Sequence, residues 1–265
     1  MITVKKISNA PELLQPRRVM KYVLVYCKTG SLTMDIDNRP FVLNSGDVVT
    51  ITSGQIHHIV ENSKAAGDVL EFTLSFFCKD DKDIELIFHN GLFCHFAMNE
   101  VIPVNKNIIE EQLHLIGEEL IHKPYQYLIS LHSRVELILV AINRAKVERG
   151  DEIWKPDALF LKFLEAVRNN FEKNYTVVQF AGILGTTEAK LNELAKLHAG
   201  KTAQNVIYGL VASEAKRLLT YENLSVKEVA YRLGFNDPFY FSNFFKKQAN
   251  VSPKQYKEML HTPND

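Results

Sequence analysis

Two sets of residues recur at one spacing near the end of the chain: Ala189, Asn192, Glu193 and Lys196, then Phe239, Ser242, Asn243 and Lys246. Positions i, i+3, i+4 and i+7 share one face of an α-helix. Small, amide, hydroxyl and charged side chains near a helix N-terminus are what reaches base edges in a major groove. These eight residues, with Lys190, are the candidate base contacts, and Lys216, Arg217 and Lys247 are the candidate phosphate contacts. The chemistry is recognition of double-stranded DNA, with no catalytic residues assigned.

A repeat supplies the elements that must hold these residues. Ala181, Leu184 and Gly185 recur as Ala230, Leu233 and Gly234 at an offset of 49; beyond the turn Leu191, Leu194, Ala195 and Lys196 recur as Phe241, Phe244, Phe245 and Lys246 at an offset of 50. Each unit has the parts of a helix-turn-helix. A small Ala lets two helices cross, and a Gly takes positive φ in the turn. Thr186 or Thr187 caps the second helix of the first unit, and Asp237 with Pro238 opens that of the second. Gly200 and Asn250 are helix-ending types, and Thr202 and Ser252 open new helices. Leu191, Leu194 and Ala195, like Phe241, Phe244 and Phe245, form the expected buried stripe. Between the units, Thr202–Tyr221 is a helical run of about 30 Å, close to the roughly 34 Å between successive major grooves.

The 265 residues suggest two domains. The formal charge is zero, but residues 1–154 carry 16 basic and 20 acidic side chains, and residues 155–265 carry 15 and 11. An anionic partner for the second half follows. Cys27, Cys78 and Cys94 form no CxxC, which points to a reducing compartment rather than a disulfide frame or zinc ribbon. The longest apolar run, Tyr127–Asn143, is broken by His132, Arg134 and Glu136, so no membrane span is expected.

Before residue 100 the pattern is strand-like. "KYVLVY" and "SLTMDI" flank a Thr29–Gly30 turn; "FVL", "VVTIT", "IHHIV" and "VLEFTLSFF" (Val69–Phe77) follow. From about Asn105 the period becomes helical, giving a hairpin of helices around Pro124 and a linker over Val147–Asp157. A further helix is expected after Asp157, with Leu161, Leu164, Val167 and Phe171 on one face. The apolar stripes around Leu113 and Ile138 either form a dimer interface or pack on the strands.

"EAKRLL", "LSVKEVAYRLGFNDPFYFSNFFKK" and "VSPKQY" resemble the DNA-binding module of the AraC/XylS family of bacterial transcription regulators, over about Lys155–Leu260. The resemblance implies two helix-turn-helix subdomains on a long helix, one monomer per bipartite site, and usually dimers on direct repeats. Two departures stand out. Neither stripe contains Arg, with Glu193 where a basic or amide residue is usual, and Asn250 replaces Gly.

"GDVVTITSGQIHHIVE" (Gly46–Glu61) resembles the second cupin motif through Gly46, Gly54 and His57, with Thr52 in place of Pro. The fold expected is therefore a jelly-roll, cupin-like barrel plus helical hairpin over residues 1–150 for effector binding and dimerisation, then an all-α double helix-turn-helix over 155–265. A small-molecule effector is expected in the barrel, with Arg17, Arg18, Tyr22, Tyr26 and His57 as candidate contacts. "TGSLTMDIDNRPF" lacks the histidines of a metal-binding cupin, so no metal and no cofactor are expected. The function expected is that of a cytoplasmic bacterial regulator, nucleoid-associated when bound. It acts as a homodimer, with RNA polymerase a partner if it activates. The rival readings are a cupin-type metal enzyme with a helical appendage and a constitutive DNA binder.

Overall fold

Along Tyr22–Ile36, Val23, Val25 and Cys27 alternate with Tyr22, Leu24 and Tyr26, and all six are buried. A strand buried on both faces must sit centrally in a covered sheet. The computed structural model describes residues 1–93, 99–151, 156–222 and 224–261. They divide into two compact units, Met1–Pro156 and Asp157–Asp265. Cys94, Lys155 and the middle of the predicted linker, residues 152–155, lie outside the described residues.

The first unit is built on one antiparallel sheet of seven strands: β1 (Ile2–Lys6), β2 (Arg17–Arg18), β3 (Tyr22–Ile36), β4 (Pro40–Asn44), β5 (Asp47–Ile51), β6 (Ile56–Phe72) and β7 (Val101–Pro103). Its path is β1-β6-β3-β5-β7, with β2 also on β6 and β4 also on β3. The sheet-rich half is as expected; among the described residues the strand pairings form an open path.

Thr29–Gly30 is not a turn between two strands. β3 runs through it with register shifts at Cys27/Thr29 and Thr29/Ser31. Gly30 takes φ +75°, and a Cβ there would lie 2.7 Å from the Lys64 carbonyl. The bulges have a packing consequence. Cys27 and Leu32 are an odd number of residues apart, so an unbroken strand would place them on opposite faces. Instead Val23, Val25, Cys27, Leu32, Met34 and Ile36 share one apolar cluster with Val49, Ile51, Ile59 and Val69, covered by Ile7, Ala10 and Leu13.

Val69–Phe77, expected as one extended run, breaks at Thr73. Its hydroxyl accepts from the Phe76 N–H and caps α1 (Leu74–Phe77). Then come α2 (Asp81–Phe88), α3 (Lys106–His122) and α4 (Tyr127–Glu148). The α3–α4 hairpin forms around Pro124 as the period predicted. Leu113 and Ile138 are buried, so they pack within the unit and leave no open stripe.

The second unit is helical: α5 (Ala158–Arg168), α6 (Val177–Ile183), α7 (Glu188–Ala199), α8 (Ala203–Tyr221), α9 (Val226–Arg232), α10 (Pro238–Ala249) and α11 (Pro253–His261). Asp157 caps α5, accepting from the Leu159 N–H. Phe171 falls beyond that helix and is half-buried, so it does not extend its buried face.

Candidate nucleic-acid interface and ligand face

The repeat is realised cap by cap. Thr176 with Gln179 and Ser225 with Glu228 form capping boxes at α6 and α9. Thr187, rather than Thr186, caps α7 by accepting from the Lys190 N–H, and Asp237 caps α10 by accepting from that of Phe239. Gly200 and Asn250 end these helices at φ +63° and +62°. Local hydrogen bonds therefore set where both second helices start and stop.

Burial separates the two faces of those helices. Leu191, Leu194, Ala195, Phe241 and Phe245 are buried. Phe244 is only half-buried, because its ring lies across the rings of Phe235 and Tyr208 at the margin of the core. On the outward face Ala189, Glu193, Lys196, Phe239, Asn243, Lys246 and Lys247 are exposed. Asn192 and Ser242 are half-buried and engaged within the protein: Asn192 Oδ1 accepts from the Ala203 N–H at 3.0 Å, and Ser242 Oγ donates to the Pro238 carbonyl at 2.8 Å. Lys190 pairs with Glu193 at 2.9 Å, so the acid on the first stripe partly neutralises the base beside it.

The phosphate candidates separate as well. Lys216 is half-buried. Arg217 turns its guanidinium to the buried Glu214, 3.3 Å away. An acid so enclosed holds the nearest base, so Arg217 is engaged within α8. Lys247 is exposed on α10.

The two turns look alike in sequence and differ in packing. A Cβ on Gly185 would meet nothing within 4 Å, whereas one on Gly234 would lie 2.4 Å from the Glu172 carbonyl oxygen. The second turn thus abuts the backbone that precedes α6. An exposed aromatic group, Tyr231, Phe239 and Tyr240, also belongs to the second unit alone, since Gly182, Ala189 and Lys190 stand at the matching positions.

A family described as a helix-turn-helix domain matches residues 180–259, a stretch that runs from within α6 to within α11. An HTH-type transcriptional regulator from the cgkA 5' region of Pseudoalteromonas carrageenovora is 35% identical over 115 residues, covering 43% of this chain and 68% of that protein. The chain belongs to the AraC/XylS family. RafR, the raffinose operon regulatory protein of Pediococcus pentosaceus, is 29% identical over 94 residues. That match spans 36% of this chain and only 34% of RafR. Fatty-acid-bound ToxT from Vibrio cholerae overlaps 98% of this chain and 95% of its own at a TM-score of 0.42 and 18% identity. This AraC-family chain is thus a DNA-binding transcription regulator. No helix among the described residues is long and apolar enough to cross a membrane.

In the N-terminal unit of this regulator the five ligand candidates divide between two faces. Arg17 pairs with His57 across β2–β6, and His57 with Ile36 across β6–β3, so all three face the apolar cluster. Arg18 alternates away. Tyr22 and Tyr26 also turn away, contrary to the expectation that they line the same cavity. Strand alternation places them opposite Val23 and Val25, with Tyr22 against Phe72, Phe88 and Phe93. The Tyr26 hydroxyl donates to Glu110 of α3 at 2.9 Å.

Two residues missed in the sequence complete the inner face. Glu71, paired with Val23, accepts from Arg17 at 2.5 Å and from Lys21 at 2.8 Å. Burial alone would raise its pKa, but these two cations outweigh that and hold it below the usual carboxylate value. The available signal was an acid at inward parity within "VLEF". In the cupin-like turn, Gly46 and Gly54 take φ +99° and +81°. Thr52 stands where Pro is usual and donates its N–H to Gln55 Oε1, a bond Pro could not make.

His57 is fully buried, and its Nδ1 lies 3.1 Å from the Gln55 carbonyl, which can only accept. Nδ1 therefore carries the proton, and Nε2 is buried without a hydrogen-bond partner. Burial lowers the pKa to about 4. The unfolded imidazole protonates near 6.5, so stability present above that pH is lost as pH falls toward 4, by about 3 kcal/mol. Urea unfolding of the native chain and His57→Gln between pH 7 and 4.5 checks this: the variant should show the shallower loss, and parallel curves would refute the assignment.

Asp83, His132 and Glu136 also gather metal-ligating atoms. However, His132 Nε2 donates to the Phe77 carbonyl at 2.7 Å, and Asp83 lies by that same nitrogen at 3.2 Å. Glu136 instead faces Nδ1 at 3.4 Å. Acids on opposite ring nitrogens suit a hydrogen-bonded bridge between α2 and α4 better than a shared ion.

Proposed function

We propose that this regulator reads a bipartite DNA site by inserting α7 and α10 into successive major grooves, under control of a small molecule held on the inner face of the N-terminal sheet. The observation that carries the first part is α8, an unbroken helix of 19 residues between two helix pairs capped at corresponding positions. At about 1.5 Å per residue it spans roughly 28 Å, near the groove repeat. Exposure of Asn243, Lys246 and Lys247 on α10 supports base and phosphate contacts there. Ala189, Glu193 and Lys196 are the corresponding candidates on α7.

For the effector, Arg17 and His57 are retained, and Glu71 and Lys21 join them. A ligand that donates a hydrogen bond to His57 Nε2 would satisfy a buried acceptor, and its binding would bias the chain between DNA-competent and incompetent states. Dimerisation would use the exposed Ile121, Tyr125, Leu128 and Ile129 of the α3–α4 hairpin rather than Leu113 and Ile138. RNA polymerase becomes a partner if the chain activates, as the RhaS activator of Enterobacter sp. is named to do.

The test compares binding of a duplex selected from a random pool with binding of random DNA. Asn243→Ala should weaken the selected site by about 1–3 kcal/mol and leave random DNA nearly unchanged. Lys247→Ala should weaken both alike and reduce the salt slope by about one. Equal losses on both duplexes for Asn243→Ala would remove its base-reading role.

A further inference from the structure

Phe239 is 68% exposed in the first turn of α10, while Phe241 and Phe245 on the same helix are fully buried. Tyr240, itself 70% exposed, is the neighbouring ring at 6.5 Å, in edge contact. The core therefore does not account for Phe239, and the matching position of the first unit is satisfied by Ala189. Phe239 lies one turn before Asn243 and two before Lys246, on the exposed stripe near the helix start. In a major groove the apolar feature of a base edge is the C5 methyl of thymine.

We propose that Phe239 is a specificity-determining residue that seats the C5 methyl of one thymine in the half-site bound by the second helix-turn-helix. This rests on the reading that α10 enters a major groove. It adds a base identity and assigns apolar readout to the second unit, where the first has only the methyl of Ala189. Asn243, one turn further along, would address the adjacent base step by hydrogen bonds. A ring in water gains by covering a methyl, and withdrawing one such group from water is worth about a four-fold change in affinity.

The test uses the full chain and a duplex selected from a random pool, with each thymine replaced singly by deoxyuridine, which removes only the methyl. Native protein should lose about four-fold at one thymine of the α10 half-site. Phe239→Ala should bind the parent duplex more weakly and be indifferent to that replacement, while Phe239→Leu should keep part of the sensitivity. Unchanged circular dichroism of both variants is expected, since the side chain packs on little. If every deoxyuridine duplex binds the native chain as tightly as the parent, or if Phe239→Ala keeps the same sensitivity, the proposal is overturned and the DNA reading stands. Failure of the chain to select any site would overturn both.

Discussion

Phe245→Ala is expected to lower the unfolding free energy of the C-terminal unit by about 3–5 kcal/mol. The ring is fully buried, packs on Phe241 at 5.9 Å and Tyr256 at 5.5 Å, and so ties α10 to α11. Truncation loses the transfer energy of the ring and leaves a cavity that rigid neighbouring helices only partly close. Phe239→Ala, on the exposed face of the same helix, should stay within about 0.5 kcal/mol. Calorimetry of the full chain separates the two, because the Phe245 variant should move the transition of the helical unit and the Phe239 variant should not. An unmoved transition for Phe245→Ala would contradict its place in the core. DNA binding should fall with stability for Phe245→Ala and independently of it for Phe239→Ala.

Glu71→Leu should cost the N-terminal unit about 3 kcal/mol, since it leaves half-buried Lys21 without this carboxylate and Arg17 with only the more distant Glu12, 3.8 Å away. Arg17 and Lys21 both donate to this one carboxylate, and the Arg17 side chain is itself largely covered. A second substitution, Arg17→Leu, should recover part of the loss, because a buried pair replaced by apolar groups avoids the desolvation that a lone charge suffers. Urea unfolding of the two single variants and the double variant measures the coupling. Additive losses would show that Arg17 and Glu71 act separately and would weaken the case for one polar site on the inner face.

The C-terminal half was legible because its determinants are local. Helix periodicity, a Thr cap at 186 or 187 and the Asp237 cap, the left-handed Gly200 and Asn250, and the Pro253 start depend on residues within about a turn of one another. Exposure of Asn243 and Lys246 follows from subtracting the buried stripe. Where Arg217 points was not legible even though its partner lies three residues away. Its direction depends on Glu214 being enclosed by the unit's packing, and spacing does not report that. The sheet was legible as strands but not as faces. "KYVLVY" shows two alternating sets, both apolar or aromatic, and nothing in the run says which set meets the cluster and which meets α3.

By itself the sequence determined a repeated helix-turn-helix on a continuous helix, with a strand-rich unit before it, because periodicity and capping are encoded within a few residues. Only the tertiary structure decided that β3 is one bulged strand, that Tyr22 and Tyr26 leave the inner face, and that Arg17 finds Glu71 54 residues away. The reason is physical: strand pairing and ion pairing across a sheet join residues far apart in the chain, and a one-residue bulge reverses every side chain beyond it.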